Sequence, residues 1–145
     1  QAIEFSLKLL QPMLQQVTVT LDFQPIPNIQ FVSNELNQLL LNILINATQA
    51  CETVRSRAPA ISIGLYPTES HVVLQITDNG CGMSEETRSK MFDAFYTTKP
   101  VGTGTGIGMS IVLQILQKHH SIIQVTSELD AGTHISIQFP RVSHG

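Results

Sequence analysis

The sequence Asp78-Asn79-Gly80-Cys81-Gly82-Met83 places a carboxylate and two glycines directly after a predicted strand. Asp78 follows an alternating run over 72–76 and shares its parity, so a carboxylate continues the apolar face of a strand. A buried charge needs a hydrogen-bond partner. Asp-Asn-Gly alone also favours a hairpin turn, but Gly82 and Met83 follow it and no second strand begins. The stretch instead suits a backbone that approaches a flat ligand and a carboxylate that accepts from an exocyclic amine, such as that of adenine.

On either side of this stretch, strand and helix patterns alternate along the chain. Period-two alternation predicts strands over 17–23, 61–65, 72–76, 123–125 and 135–139, with a short companion over 29–32. Helical spacing predicts helices over 3–15, 84–92 and 107–118, and a long helix from Ser33 or Asn34 to a break near 58–59. The apolar face of the long helix extends to Val54, and the last helix turns Ile111, Ile115 and Leu116 inward. This order predicts an α/β (α+β) two-layer sandwich: a mixed, largely antiparallel sheet covered on one face by about three helices.

Composition limits the classes of protein that the chain can represent. Its 145 residues are 42% hydrophobic and 13% charged, as expected for one compact domain. The net charge of −3, without a basic stripe, argues against nucleic-acid binding. No apolar run is long enough to cross a membrane. Cys51 and Cys81 lie far apart in sequence and suit reduced thiols of a cytoplasmic protein, and the missing initiator methionine leads us to expect a fragment of a longer chain.

A polar stripe runs along the predicted long helix. Asn42 and Asn46 are four residues apart and therefore share a face, which Gln38 and Gln49 extend. A solvated helix flank is the simplest explanation of such a stripe. This one adjoins the apolar face, however, and consists of amides instead of lysines and glutamates. An amide oxygen can ligate Mg²⁺, and the amide NH₂ can donate to a phosphate.

A glycine-rich segment, Gly102-Thr103-Gly104-Thr105-Gly106-Ile107-Gly108, leads directly into the last predicted helix. Such turns present backbone N–H groups to anions. The glycine spacing does not match the dinucleotide-binding fingerprint, and no Lys-Ser/Thr pair follows as in a Walker A loop. A flexible linker is the alternative, but a mobile phosphate-binding loop better explains the direct fusion to an apolar helix.

Taken in order, four motifs resemble those of the catalytic ATP-binding domain of histidine kinases, in the superfamily that includes gyrase B, MutL and Hsp90. The stretch 42–47 resembles the N box, 78–83 the first glycine box, 91–100 the F box and 104–109 the second glycine box. Ser127-Glu128, Gly132-Thr133 and Phe139-Pro140 resemble the closing strands, so the resemblance covers about 17–140. The form Thr97-Thr98-Lys99-Pro100 is similar to kinases of the nitrogen-regulation type.

This resemblance implies a Bergerat-type sandwich that binds ATP and Mg²⁺. It implies Asn46 as the Mg²⁺ ligand, Asn42 as a contact to phosphate or to the water shell of the metal, and Asp78 as the acceptor of the adenine amine. A mobile ATP lid would extend over about 92–105, with Lys99 reaching the terminal phosphate or remaining a solvated lid residue. The other implied nucleotide-binding residues are Gly80, Gly82, Met83, Phe92, Phe95, Thr98, Gly102, Gly104, Thr105, Gly106, Ile107, Gly108, Met109 and Thr133.

The sequence departs from the family pattern at three places. Asn42 stands where the ATPases of the superfamily carry the glutamate that activates water, and an amide cannot take a proton at neutral pH. This difference favours a kinase over a fast ATPase. Gln49 stands where many members have Lys or Arg, so Lys99 could supply the missing charge. His119-His120-Ser121 replaces a common His-Gly-Gly, which puts the conformation of that turn in question.

The resemblance also implies partners. None of the five histidines has the sequence setting of a phosphoacceptor, so the recipient would be a separate dimerisation domain of the same kinase, followed by a response regulator. The segment 1–16 would be the helical junction to that domain, and 17–145 the catalytic domain. Two alternatives remain open: a module that uses ATP only as a conformational switch, and a serine/threonine kinase of the anti-sigma type. Asn42 counts against the second, because those kinases keep a glutamate there.

Overall fold

A computed structural model describes residues 8, 11, 17–27, 29, 33–52, 54, 57–90 and 108–141. The predicted N-terminal helix and the short strand over 29–32 fall almost entirely outside these residues. The whole of 91–107 also lies outside them, and with it most of the F box and of the second glycine box.

The described strands form one mixed sheet of five, as predicted. They are β1 Thr18–Phe23, β2 Ala60–Pro67, β3 His71–Asp78, β4 Ile122–Glu128 and β5 Gly132–Pro140. The order across the sheet is β1-β2-β3-β5-β4. Only β1 and β2 run parallel, and the other three neighbouring pairs are antiparallel. The parallel pair requires a crossover, which the long helix provides.

The described helices are α1 Ser33–Glu52, α2 Glu85–Lys90 and α3 Gly108–Lys118. The predicted start of α1 is confirmed, but its predicted length was wrong: the helix stops at Glu52, and Val54 lies beyond it. The Val54 N–H donates to the Cys51 carbonyl at 3.2 Å, closing a turn. The chain needs this turn to enter β2 at Ala60, next to β1.

The core lies between α1, α3 and one face of the sheet. Alternate residues of β2, β3 and β5 are buried on that face, as the period-two pattern predicts. In α3, Ile115 and Leu116 are buried as predicted, whereas Ile111 is only partly buried. Met109 and Val112 fill the inner face in its place. Among the described residues, no helix is both long and apolar enough to span a membrane.

The two ends of the sheet differ in what closes them. We call the end that carries Asp78 and Thr133 the site end, because the first glycine box follows it. The opposite end, which we call the hairpin end, carries the β2–β3 turn over 68–70 and the α3–β4 turn over 119–121. The alternative reading of Asp-Asn-Gly as a hairpin turn is wrong, since the next described element after β3 is α2, and β3 pairs on that side with β5, which begins only at Gly132.

The α3–β4 turn keeps a glycine-like conformation without a glycine. His120 has a φ of 55°, in the left-handed region. The Ser121 N–H donates to the Leu116 carbonyl at 2.9 Å, and the His120 N–H donates to the Gln117 carbonyl at 3.2 Å. These two bonds form a Schellman motif, in which glycine is the usual residue at the left-handed position. Replacement of His-Gly-Gly thus leaves the turn intact, with a histidine in a strained conformation.

Candidate functional site

Asp78 is the buried carboxylate that the strand parity predicts. Its exposure is 7%, and its neighbours in the sheet are Ile61 on β2 and Thr133 on β5. The Gly80 N–H donates to Asp78 Oδ1 at 2.8 Å. Burial raises the pKa of the Asp78 carboxyl, and hydrogen bonds from the backbone N–H groups of Gly80 and Thr133 oppose that rise. The group is thus held by backbone donors at the edge of the core.

The loop after Asp78 packs directly on the C-terminal part of α1. Gly80 is so close to the helix that a Cβ there would lie 2.6 Å from the backbone carbon of Ala50. The N–H of Cys81 donates to the Ala50 carbonyl at 3.2 Å. This close approach explains why the first glycine box needs Gly80: any side chain would push the loop off the helix.

The adjoining ends of β4 and β5 hold the same loop from the other side. A Cβ on Gly82, whose φ is 69°, would lie 2.0 Å from the Glu128 carbonyl oxygen. The N–H of Met83 donates to Ser127 Oγ at 2.8 Å, and Ser127 Oγ also donates to the Gly132 carbonyl at 3.0 Å. Gly82, predicted to shape the pocket, and Met83, predicted to bind the nucleotide, are therefore held by contacts with the closing strands.

Two residues that sequence reasoning did not assign complete the support of the loop. The guanidinium of Arg57 donates from Nε to the Asn79 carbonyl and from Nη2 to the Gly80 carbonyl, both at 2.8 Å. The Asn79 side chain accepts from the Ala60 N–H at 2.9 Å and donates to the Ala58 carbonyl at 2.8 Å. Nothing in the pattern around Arg57 indicates this role, because it lies in an irregular segment between α1 and β2. Asn79 could have been found from the ability of asparagine side chains to bond neighbouring backbone in turns.

The amide stripe on α1 leads towards this loop. Asn42 and Asn46 are both partly buried and lie one turn apart, and Ala50, which contacts Gly80, lies one turn further along the same face. Gln38, the predicted start of the stripe, is exposed. The Gln49 side-chain oxygen is buried and has no hydrogen-bond partner among the described residues. The stripe thus brings amide groups and the Asp78 loop to one region of the molecule.

The start of α3 is the only part of the second glycine box that the structure describes. Gly108 is the first residue of the helix, and the Met109 side chain, 7% exposed, belongs to the core. A nucleotide contact of Met109 would therefore involve its backbone. The remaining predicted site residues lie outside the described part of the chain: Phe92, Phe95, Thr98, Lys99, Gly102, Gly104, Thr105, Gly106 and Ile107.

The described residues fit an adenine nucleotide. Asp78 offers a carboxylate that can accept from an amine, and the absence of side chains at Gly80 and Gly82 lets the loop beside it pack closely against α1 and the end of β4. For a metal, no cluster of three or more histidine, cysteine, aspartate or glutamate side chains exists within the described ranges. The amide oxygens of Asn42 and Asn46 could supply only one or two hard ligands. That number suits Mg²⁺, which takes most of its ligands from nucleotide phosphates and water.

Comparison with known sequences finds a matching family profile and curated relatives. A sequence profile of the family described as histidine kinase-, DNA gyrase B-, and HSP90-like ATPase matches residues 31–143. Sporulation kinase C of Bacillus subtilis (strain 168) is 30% identical over 155 aligned positions, covering 97% of this chain. The chain spans only part of this curated relative, 35% of its length.

Solved structures share the architecture. The mycobacterial sensor histidine kinase MprB superposes with a TM-score of 0.84 at 25% identity, covering 98% of this chain and 95% of that one. Full-length ShkA, solved in complex with AMPPNP, superposes with a TM-score of 0.82 at 21% identity, covering 99% of this chain and 30% of ShkA. At that identity, ShkA supports the fold alone.

Proposed function

The chain belongs to the family of histidine kinase-, DNA gyrase B- and HSP90-like ATPases, and from this membership we propose that it is the ATP-binding catalytic domain of a sensor histidine kinase. It would bind ATP together with Mg²⁺, and the γ-phosphoryl group would pass to a histidine on a separate dimerisation domain. The observation that carries the proposal is the buried Asp78 carboxylate, held by the Gly80 N–H at the end of β3. The names of its relatives, among them Sporulation kinase C and MprB, support the kinase branch of the family.

Asp78 would select the base. Its carboxylate would accept from the exocyclic amine of adenine, while the Gly80 and Thr133 N–H groups keep it oriented. A hydrogen bond to a charged acceptor in a partly dry site contributes about 1.5–3 kcal/mol. The carboxylate must be ionised to accept in this way, so the backbone donors that oppose its raised pKa also favour binding.

The amide stripe would serve the phosphates. Asn46 would ligate Mg²⁺ through its side-chain oxygen, and Asn42 would contact a phosphate or a water of the metal. Bound Mg²⁺ would neutralise part of the phosphate charge during transfer. The backbone N–H groups at the start of α3, from Gly108 onward, would add the favourable end of a helix dipole. Catalysis in this arrangement depends on positioning and electrostatics, since no covalent intermediate with the chain is needed.

An amide at position 42 favours transfer over hydrolysis. A general base for water has to accept a proton, and Asn42 cannot do so near neutral pH. Glu35 does not replace it, because it lies in the first turn of α1, about two turns before Asn42, and binds Lys118 Nζ at 2.9 Å. We therefore propose slow turnover of ATP in the absence of a phosphoacceptor.

The finer assignments rest on sequence resemblance. The segment over about 92–105 would be the ATP lid, with Phe92 and Phe95 as anchors and Lys99 near the terminal phosphate. The Thr97–Pro100 stretch favours the nitrogen-regulation subtype. Residues 1–16 would connect to the dimerisation domain, and 17–145 would form the catalytic domain. A response regulator would be the final recipient of the phosphoryl group. The catalytic domain would lie in the cytoplasm.

Calorimetric titration with ATP, with and without Mg²⁺, tests the binding proposal. The wild type should bind with Mg²⁺ dependence, and Asp78→Asn should bind at least about tenfold more weakly, since the acceptor charge is lost. Asp22→Asn is the matched control, because Asp22 is an exposed carboxylate on β1 that should not affect affinity. Equal affinity of Asp78→Asn and the wild type would contradict the assignment of Asp78.

Transfer is tested separately. The chain is mixed with a purified dimerisation domain and labelled ATP, and the stability of the protein-bound phosphate to acid is measured. Acid-labile phosphate on the added domain supports a histidine kinase. Acid-stable phosphate on serine would support the anti-sigma type instead, and binding without any transfer would favour a conformational switch.

A further inference from the structure

We infer that Arg57 is a positioning residue for the nucleotide site: its guanidinium fixes the two peptide groups that orient Asp78 and attach the first glycine box to α1. The inference rests on the proposed function, because it assigns Arg57 a role in base selection. Arg57 lies between α1 and β2, outside the four family motifs quoted above, and its role is visible only from its contacts.

Each of the two carbonyl groups that Arg57 binds belongs to a peptide group whose N–H also makes a hydrogen bond. The Asn79 carbonyl belongs to the same peptide group as the Gly80 N–H, which donates to Asp78 Oδ1 at 2.8 Å. The Gly80 carbonyl belongs to the same peptide group as the Cys81 N–H, which donates to the Ala50 carbonyl at 3.2 Å. Each carbonyl that accepts from Arg57 therefore belongs to a peptide group whose N–H makes a second hydrogen bond, and these second bonds position the site.

This arrangement is stronger than two isolated contacts. Hydrogen bonds from a charged donor are shorter and stronger than neutral ones, and bonds in a chain polarise one another. The planar guanidinium holds two acceptors at a fixed separation, which a lysine ammonium cannot do. Arg57 at one end of the chain of bonds and the Asp78 carboxylate at the other have opposite charges, so both orient the Asn79–Gly80 peptide in the same sense.

The Asn79–Gly80 peptide needs the support of Arg57 because residue 80 is a glycine. Glycine has little intrinsic preference between several backbone conformations, so the peptide before it can rotate at low cost. Rotation would turn the Gly80 N–H away from Asp78 and leave the buried carboxylate short of a donor. The close packing of Gly80 on Ala50 forbids a larger residue at this position. Arg57 acts on this peptide directly as an external clamp, because it binds the Asn79 carbonyl of the same peptide group.

The test compares Arg57→Gln and Arg57→Lys with a matched control, Arg141→Gln. Arg141 makes the same kind of contact at the hairpin end, from Nη1 to the Thr68 carbonyl at 2.7 Å and to the Glu69 carbonyl at 3.3 Å. For each variant we would measure the melting temperature and the affinities for ATP and for the purine riboside triphosphate that lacks the exocyclic amine. We expect Arg57→Gln to lower ATP affinity about tenfold and to reduce the preference for ATP over the amine-free analogue. Arg57→Lys should be intermediate, and Arg141→Gln should change neither affinity.

Two results would overturn the inference. If Arg57→Gln lowers the melting temperature but keeps the wild-type preference for the amine, Arg57 has only a structural role. The second readout needs no nucleotide: hydrogen exchange of the Gly80 amide should be at least about tenfold faster in Arg57→Gln than in Arg141→Gln. Unchanged exchange would contradict the clamp. Failure of the wild type to bind ATP would refute the proposed function, while the exchange measurement would still decide whether Arg57 fixes the loop.

Discussion

The site end and the hairpin end of the sheet are closed by the same kind of contact but depend on different parts of the chain. At each end a guanidinium binds two loop carbonyls: Arg57 those of Asn79 and Gly80, and Arg141 those of Thr68 and Glu69. The β2–β3 turn is otherwise satisfied within itself, since the Thr68 N–H and the His71 carbonyl bond at 2.8 Å.

The loop at the site end has few internal bonds of this kind. It is held by α1 through Ala50, by the α1–β2 segment through Arg57, and by the end of β4 through Ser127. Contacts from three distant segments can fix a loop in a conformation that its own sequence does not favour. We therefore expect substitutions at the hairpin end to change stability alone, whereas substitutions at the site end should change stability and nucleotide binding together.

The largest predicted effect is the loss of stability when a glycine at the site end is replaced by alanine. Gly132→Ala at the site end places a Cβ 2.0 Å from the Asp78 carbonyl oxygen, at a residue whose φ is 124°. We expect a loss on the order of 3 kcal/mol in unfolding free energy, together with loss of nucleotide binding. Gly64→Ala is the control, because its Cβ would meet nothing closer than 3.9 Å, and it should change stability by less than about 1 kcal/mol. Urea unfolding measures both, and similar losses in the two variants would remove the distinction.

A rise in pH should change the stability of the fold and its affinity for nucleotide in opposite directions, because both depend on the ionisation of Asp78. Burial raises its pKa in the folded chain, so between the unfolded and folded pKa values the folded state holds the extra proton. The contribution of Asp78 to unfolding free energy therefore falls as pH rises through that interval and is constant above it. Nucleotide affinity should rise over the same interval, because the ionised carboxylate is the better acceptor.

Urea unfolding of the wild type and of Asp78→Asn from about pH 4 to about pH 8 checks the first trend, and calorimetry checks the second. The stability of the wild type relative to Asp78→Asn should decrease with rising pH. A difference that does not depend on pH would mean that the carboxyl titrates alike in the folded and unfolded chains.

The smallest effect is expected at the hairpin end and should have the opposite sign. His120 holds a φ of 55°, so His120→Gly should relieve strain and stabilise the chain by about 0.5 kcal/mol, with nucleotide affinity unchanged. His120→Ala removes the same imidazole but keeps the strain, so thermal unfolding should show no gain. Equal stabilisation by alanine would indicate that the imidazole, and not the backbone, is the source of the strain.

Sequence patterns predicted the parts of the molecule that depend on periodicity. The strand parity of Asp78 identified its burial, and helical spacing identified the start of α1 and the shared face of Asn42 and Asn46. The end of α1 was not predictable in this way, because it depends on where β2 must begin beside β1. The role of Arg57 depends on contacts between segments more than twenty residues apart, which no local pattern records.

One consequence of the strand order concerns synthesis of the chain. Among the described strands, β1, β2 and β3 precede 91 in the chain, and β4 and β5 follow 107. In the sheet, these two groups meet where β3 pairs with β5. While only the first group has left the ribosome, β3 is an edge strand with a row of unpaired N–H and C=O groups. Such edges pair readily with other chains. We therefore expect an aggregation-prone stage during synthesis that ends only when Gly132–Pro140 has left the ribosome.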